Sequence, residues 1–290
     1  MSNQSTNIGL LYICAGDHQL SDAIQSVKSA KKAMPNVETA LITDAQSPPA
    51  CFDTSITKNR LEYSFIDKVR YITETPFENT LYLDADTRIY DDISELISIL
   101  DRCELAAAHA PGRRTEPAID QDEIPAVFPE YNTGVILFRR TDKILDLFES
   151  WLNQYDSMIQ DEHQNIGDQP AFRKAAWFSN VNIYTLPPEY NCRTVYPGVV
   201  GGDVKIVHGR HRNVNRIEQK LNAPTEIRAH YTSWGRFKVV EHPTSAPQLI
   251  VRSIVRDGFR PTVRKIYKKL NTMIHIMKMI PVLRTAIDPS

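Results

Sequence analysis

The chain has 290 residues, 42% of them hydrophobic and 24% charged, a composition that excludes a disordered protein and supports a core needing no disulfide or structural metal. Four cysteines, Cys14, Cys51, Cys103 and Cys192, form no CxxC pair, which argues against a zinc ribbon or a redox motif and suits a reducing, cytoplasmic setting. The net charge of -1 conceals a split, because Arg252 to Arg284 holds nine basic residues and one acid, Asp257, and the rest of the chain is correspondingly acidic. The start lacks the basic region and cleavage site of a signal peptide. No apolar run reaches the roughly 18 residues that span a bilayer, so neither export by that route nor membrane insertion is expected.

In chain order, IGLLYICAG (Ile8 to Gly16) reads as a buried strand, Ser21 as the cap of a helix carrying Ile24, Val27 and Met34, and VETALITD (Val37 to Asp44) as the next strand. A helix around Tyr63 to Thr73 follows. Then come a strand from Asn79 to Thr87, a helix from Asp91 to Cys103 and a strand from Glu104 to Ala110. Such alternation predicts an α/β fold around a mostly parallel sheet. Residues Pro111 to Glu130, with four prolines and no periodicity, read as a long loop. Asn132 to Arg140 returns to strand, Thr141 to Tyr155 and Asp168 to Phe178 are helical, and VNIYTLPPEYN and VKIVHG supply two late strands. Residues 1–250 are taken as the main domain and 251–290 as a basic helical segment.

Asp84 and Asp86 fall at a strand's C-terminal end, the edge where open α/β sheets bind ligands. Two carboxylates so spaced can share a hard divalent cation with a phosphate ligand. The bare DxD pattern is common in a chain with 20 aspartates, and a second copy, Asp120 and Asp122, lies in the proline-rich stretch. The strand context singles out the first pair.

LYLDADTRIYDDISEL, YNTGVILFRR, GDQPAF, LPPEYN and KIVHG occur in that order over about 130 residues. Together they resemble the GT-A nucleotide-sugar glycosyltransferases, and most of all glycosyltransferase family 8, over Ile8 to about His211. The resemblance implies a Rossmann-like GT-A fold with Asp84, Asp86 and His208 as metal ligands and Asp86 as the direct carboxylate ligand. It implies Mn²⁺, with Mg²⁺ as the alternative; an imidazole beside carboxylates favours the softer ion. Ala15, Gly16 and Asp17 match the turn that receives base and ribose, and Lys68 matches a basic residue for the donor. Ala85, within the DxD motif, joins the donor site. Asn132, Thr133 and Gly134 match a motif that meets sugar hydroxyls, and Asp168 and Gln169 match the pair beneath the anomeric carbon, the catalytic candidates. Asn191 matches a downstream asparagine without a defined role. The family's late lysine is absent here. Gly209 and Arg210, with His211 and Arg212, offer cations in its place, and Trp234 is a candidate for a closing role.

Within 251–290, Val263, Ile266, Leu270, Met273, Met277 and Ile280 recur at spacings of three and four, opposite Arg264, Lys265, Lys268 and Lys269. This basic amphipathic helix either lies on an anionic membrane surface or docks on protein, its own core or a second copy in a homo-oligomer. Nucleic acid is not expected, since no aromatic interleaving accompanies the charge. The implied activity is transfer of a sugar, with retention, from a UDP-sugar to a hydroxyl of a glycan, lipid-linked or protein acceptor in glycan or surface polysaccharide synthesis. Two alternatives are a sugar nucleotidyltransferase and a non-catalytic protein of the same fold. The first needs a glycine-rich N-terminal loop, and only Gly9 and Gly16 precede Gly112.

Overall fold

A computed structural model describes residues 8–110, 124–162, 167–211, 214–223, 227–233 and 236–241, all within one compact unit that ends at Glu241. The basic segment 251–290, Asp120, Asp122, Arg212 and Trp234 lie outside the described residues.

The main sheet has seven strands: β1 (Gly9–Cys14), β2 (Thr39–Thr43), β3 (Thr54–Thr57), β4 (Asn79–Leu83), β6 (Leu105–His109), β7 (Tyr131–Arg139) and β8 (Ile183–Leu186). Their order is β3-β2-β1-β4-β7-β6-β8. All neighbours run parallel except β7, which is antiparallel to both β4 and β6. The continuous apolar runs of β1, β2 and β4 are buried throughout because both faces of the sheet are covered.

Alternation along β1 sends Leu11 and Ile13 to one face and Leu10 and Tyr12 to the other. The first face packs on α2 (Phe65–Tyr71), α3 (Asp142–Glu162) and α4 (Gln169–Phe178), with Trp151, Phe148 and Phe172 in its centre. The second packs on α1 (Gly16–Ala33) and the 3₁₀ turns Ser94–Asp101. Beside the sheet lie two three-stranded pieces. One is built from β5 (Thr87–Ile89), β9 (Cys192–Arg193) and β11 (Ile206–His208). The other is built from β10 (Gly198–Val200), β12 (Arg228–Ser233) and β13 (Arg236–Glu241). Helix α5 (Val214–Asn222) adds Ile217 and Leu221 to a small core with Val207 and Phe237.

Several local expectations are corrected. Helix α1 begins at Gly16, with Ala15 at the cap position, so Ser21 sits inside it and caps nothing. The tight turn after β1 starts the helix one residue past the strand. Within Asp91 to Cys103 the residues Ser94–Asp101 form 3₁₀ turns rather than an α-helix, and they bury Leu96 and Leu100. The strand expected through Thr87 breaks at Leu83, where the Thr87 backbone N–H and hydroxyl both donate to the Asp84 carbonyl and close a turn. Helix α3 runs past Tyr155 to Glu162. Strands β3, β5, β9, β10, β12 and β13 were not expected, being short or half-exposed and lacking a long apolar run.

Candidate functional site

The break after β4 is what builds the site. Asp84 and Asp86 occupy the turn, and β5 then leaves the main sheet to pair with β11, placing His208 opposite Thr87. The Gly209 N–H continues the ladder to the Asp86 carbonyl at 3.1 Å. His208 Nε2 thereby lies 3.5 Å from Asp84 Oδ2 and 3.3 Å from Asp86 Oδ1, and one ligand atom from each residue falls within 4.8 Å of the others. Strand β7 passes beside this cluster, with the Asp84 N–H donating to the Gly134 carbonyl at 2.8 Å. A Cβ at Gly134 would stand 2.1 Å from His208 Cε1 and 2.5 Å from Asp84 Oδ2. Only glycine leaves room for the imidazole and carboxylate to meet.

Lys68, from α2, reaches the same place and is buried. Its ammonium lies 2.8 Å from Asp168 Oδ2 and 3.7 Å from Asp84 Oδ1, and it donates to Thr133 Oγ1 at 3.1 Å. Burial alone would lower its pKa, but Asp168 and then Asp84 outweigh that and raise it, so the group stays charged. For Asp84 burial pushes the carboxyl up, while Lys68, His208 and the Tyr82 hydroxyl pull it well below the usual carboxylate range. Asp86 is likewise lowered, burial being opposed chiefly by a hydrogen bond and charge from His208, which the ring supplies only while Nε2 carries a proton and which a cation at Nε2 would replace. Two ionised carboxylates and an imidazole nitrogen, converging in a space a side chain would fill, form a donor set suited to a divalent cation.

The other sequence-predicted residues fall in three places. Ala85, Asn132, Thr133, Asp168 and Gln169 line the same cleft, of about 340 Å³, as the metal-type cluster and Lys68. There the start of β7 is stitched to the start of α4: Thr133 Oγ1 donates to Asp168 Oδ2 at 2.7 Å and Asn132 Nδ2 to Gln169 Oε1 at 2.7 Å. Asp168 holds the helix cap position without a capping bond from its side chain, which is turned to Lys68 and Thr133 instead. Gly209 and Arg210 border a neighbouring hollow of about 300 Å³ with His18, Asp22 and Arg88. Asp86 is common to both, and Arg210, which also faces the cleft, donates to Asp22 at 2.8 Å.

The turn after β1 carries Ala15, buried at the cap position, and Asp17, exposed in the first turn of α1. A second carboxylate joins it: Asp44, just past β2, accepts from the Gly16 N–H at 3.1 Å and from the Tyr63 hydroxyl. Gly16 has φ +73°, and the Tyr63 ring would stand 2.8 Å from a Cβ there. Tyr63 itself has φ +58°, a strained conformation for an aromatic residue that costs about 1–3 kcal/mol. Sequence reasoning missed Asp44, Tyr63, Tyr82 and Arg193, all but Asp44 on the cleft wall. Asp44 carried a readable signal: like Asp84, it directly follows an apolar strand.

By sequence the chain matches no family model and no curated protein. By structure it is similar to the bifunctional glycosyltransferase WbbM, with a TM-score of 0.50 at 12% identity over 73% of this chain and 47% of that one. Mouse xyloside xylosyltransferase 1 gives 0.49 at 14% identity, over 72% of this chain and 98% of that one. The galactosyltransferase LgtC, solved with donor and acceptor sugar analogues, gives 0.48 at 12% identity, over 71% and 91%. The chain spans about half the length of WbbM, and that likeness defines its architecture: a GT-A glycosyltransferase fold, with a mixed, mostly parallel sheet flanked by helices. At such identity a shared fold carries no chemistry by itself, so function has to be argued from the cleft.

Proposed function

We propose that the protein is a metal-dependent glycosyltransferase that moves a sugar, with retention, from a UDP-sugar to a hydroxyl of a glycan or lipid-linked acceptor. One observation carries this reading: Asp84, Asp86 and His208 converge at the ligand-binding edge of the sheet, in the gap left by Gly134, beside a buried Lys68–Asp168 pair. Asp84, Asp86 and His208 Nε2 would hold the ion, and the mixed oxygen and nitrogen set favours Mn²⁺. When bound, the ion supplies positive charge that stabilises the departing diphosphate.

The chain's own groups do the rest. Lys68 keeps Asp84 ionised by proximity and is paired with Asp168 at 2.8 Å. Thr133 and Lys68 hold one oxygen of Asp168, which leaves this carboxylate oriented at the cleft as the candidate partner of the anomeric carbon. Arg210, facing both hollows, is the cation nearest in role to the lysine that related enzymes carry. The base and ribose are assigned to the β1 turn, where Asp44 and Tyr63 join Gly16.

Incubation with a panel of UDP-sugars and Mn²⁺ is expected to release UDP, and a chelator to stop it. Asp86→Ala is expected to abolish Mn²⁺-dependent UDP binding in titration calorimetry with the fold intact by circular dichroism. Retained binding would remove the metal assignment. We also propose that the basic 251–290 segment brings the enzyme to an anionic surface on the cytoplasmic side, a reading supported by its charge and apolar spacing. Deleting residues 259–290 is then expected to lower sedimentation with anionic vesicles; unchanged sedimentation sinks this part alone.

A further inference from the structure

His208 Nδ1 lies 2.8 Å from Asn191 Oδ1, and which end of that amide faces the ring decides which ring nitrogen carries the proton. The orientation follows from the far end of a chain of hydrogen bonds. Gln169 donates through Nε2 to Glu130 Oε1 at 3.1 Å. That leaves Gln169 Oε1 to accept from Asn132 Nδ2 at 2.7 Å, and Asn132 Oδ1 to accept from Asn191 Nδ2 at 2.8 Å. A second anchor agrees: the Gly134 backbone N–H, which only donates, reaches Asn132 Oδ1 at 3.2 Å. Asn191 must then turn its oxygen to the imidazole, and Nδ1 must be the protonated nitrogen.

We propose that Asn191, held through Asn132 by Gln169, Glu130 and the Gly134 N–H, is a positioning residue that sets the tautomer of His208 and so makes it a metal ligand. The inference rests on the metal reading above. With the proton on Nδ1, the Nε2 lone pair faces Asp84 and Asp86. With the amides reversed, the proton would sit on Nε2, the ring would satisfy the carboxylates by itself, and no ligand would remain for a cation. All five residues are 2–4% exposed, so their amides and ring find their partners in one another rather than in bulk solvent. The relay also accounts for Asn132 and Gln169, whose amides are engaged with each other rather than wholly free for sugar hydroxyls.

Two substitutions separate positioning from mere packing. Asn191→Leu removes the acceptor. Asn191→Asp keeps an acceptor for Nδ1–H but cannot donate to Asn132. Long-range ¹⁵N–¹H spectra of the metal-free protein, at a pH high enough that each imidazole carries one proton, report the tautomer; titration calorimetry reports Mn²⁺ affinity. Wild type and Asn191→Asp are expected to show the proton on Nδ1. Asn191→Leu is expected to shift it to Nε2 and to weaken Mn²⁺ binding about 10–100-fold, the range for a lost partner behind a histidine ligand, while Asn191→Asp stays near wild type.

A wild-type proton on Nε2 overturns the proposal, whether or not the leucine variant folds. So does an Asn191→Leu variant with the wild-type tautomer and affinity, or an aspartate variant that loses both as the leucine does. If wild type binds no Mn²⁺, the metal reading fails while the spectra still decide the relay.

Discussion

Asp44 and Asp84 hold the same place on neighbouring parts of one sheet, each the first residue past a buried strand, β2 and β4. Their surroundings diverge. Asp44 is half-buried and meets a backbone N–H and a tyrosine hydroxyl. Asp84 is surrounded by Lys68 from α2, Tyr82 from β4 and His208 from β11, with Gly134 of β7 making room. A strand end offers a ligand-binding edge, but a charge cluster able to hold a cation needs other elements to close over it. Asp84 is itself only partly buried, but the Lys68–Asp168 pair beside it is dry, and there an ionic contact counts for more.

The largest expected effect follows from that closure. Lys68→Met should destabilise the fold by about 3–5 kcal/mol in urea unfolding, since it leaves the buried Asp168 without its cation and takes the charge from beside the partly exposed Asp84. A loss under about 1 kcal/mol would put Asp84 on the same footing as Asp44 and erase the contrast. Gly134→Ala comes next. Its Cβ would crowd His208 and Asp84, so Mn²⁺ affinity should fall at least about tenfold with little change in secondary structure. Unaltered affinity would mean the two ligands do not meet across that gap.

The smallest effect belongs to Asp44. Burial pushes its carboxyl up, but hydrogen bonds from the Tyr63 hydroxyl and the Gly16 N–H, with others, together favour the ionised form and hold it below its ordinary value of 3.8. A lowered folded-state value means the contribution is complete above about 3.8 and is lost as pH falls through the folded value. Asp44→Asn should therefore cost no more than about 1 kcal/mol at neutral pH and should flatten the acid limb of stability against pH. An acid limb as steep as that of wild type would remove Asp44 from the turn's electrostatics.

The regular core was legible in the chain. Strands β1, β2, β4 and β7 and helices α3 and α4 announce themselves by unbroken apolar runs or by three-and-four spacing, because burial on both faces or one face of an element imposes those periods directly. The metal-type cluster was legible only through several motifs taken together. Nothing in YLDAD shows that β5 departs from the sheet to bring His208 across, and the short strands β5 and β9 leave no periodic trace.

The amide relay was beyond reach altogether. Glu130, Asn132, Gln169 and Asn191 come from a strand's approach, the strand itself, a helix start and a 3₁₀ turn, and their partnership exists only once those pieces are docked.

What the residues determined by themselves is the α/β alternation, the strand ends where carboxylates gather, and the contrast between an acidic body and a basic final segment. What the tertiary structure alone decided is that Asp44 meets the Gly16 N–H in the β1 turn, that Lys68 is buried between acids rather than solvated, and that Nδ1 of His208 faces Asn191. Periodicity is a property of local sequence. The burial of a charge and the direction of a hydrogen bond depend on partners far along the chain, as Lys68 and Asp168 are.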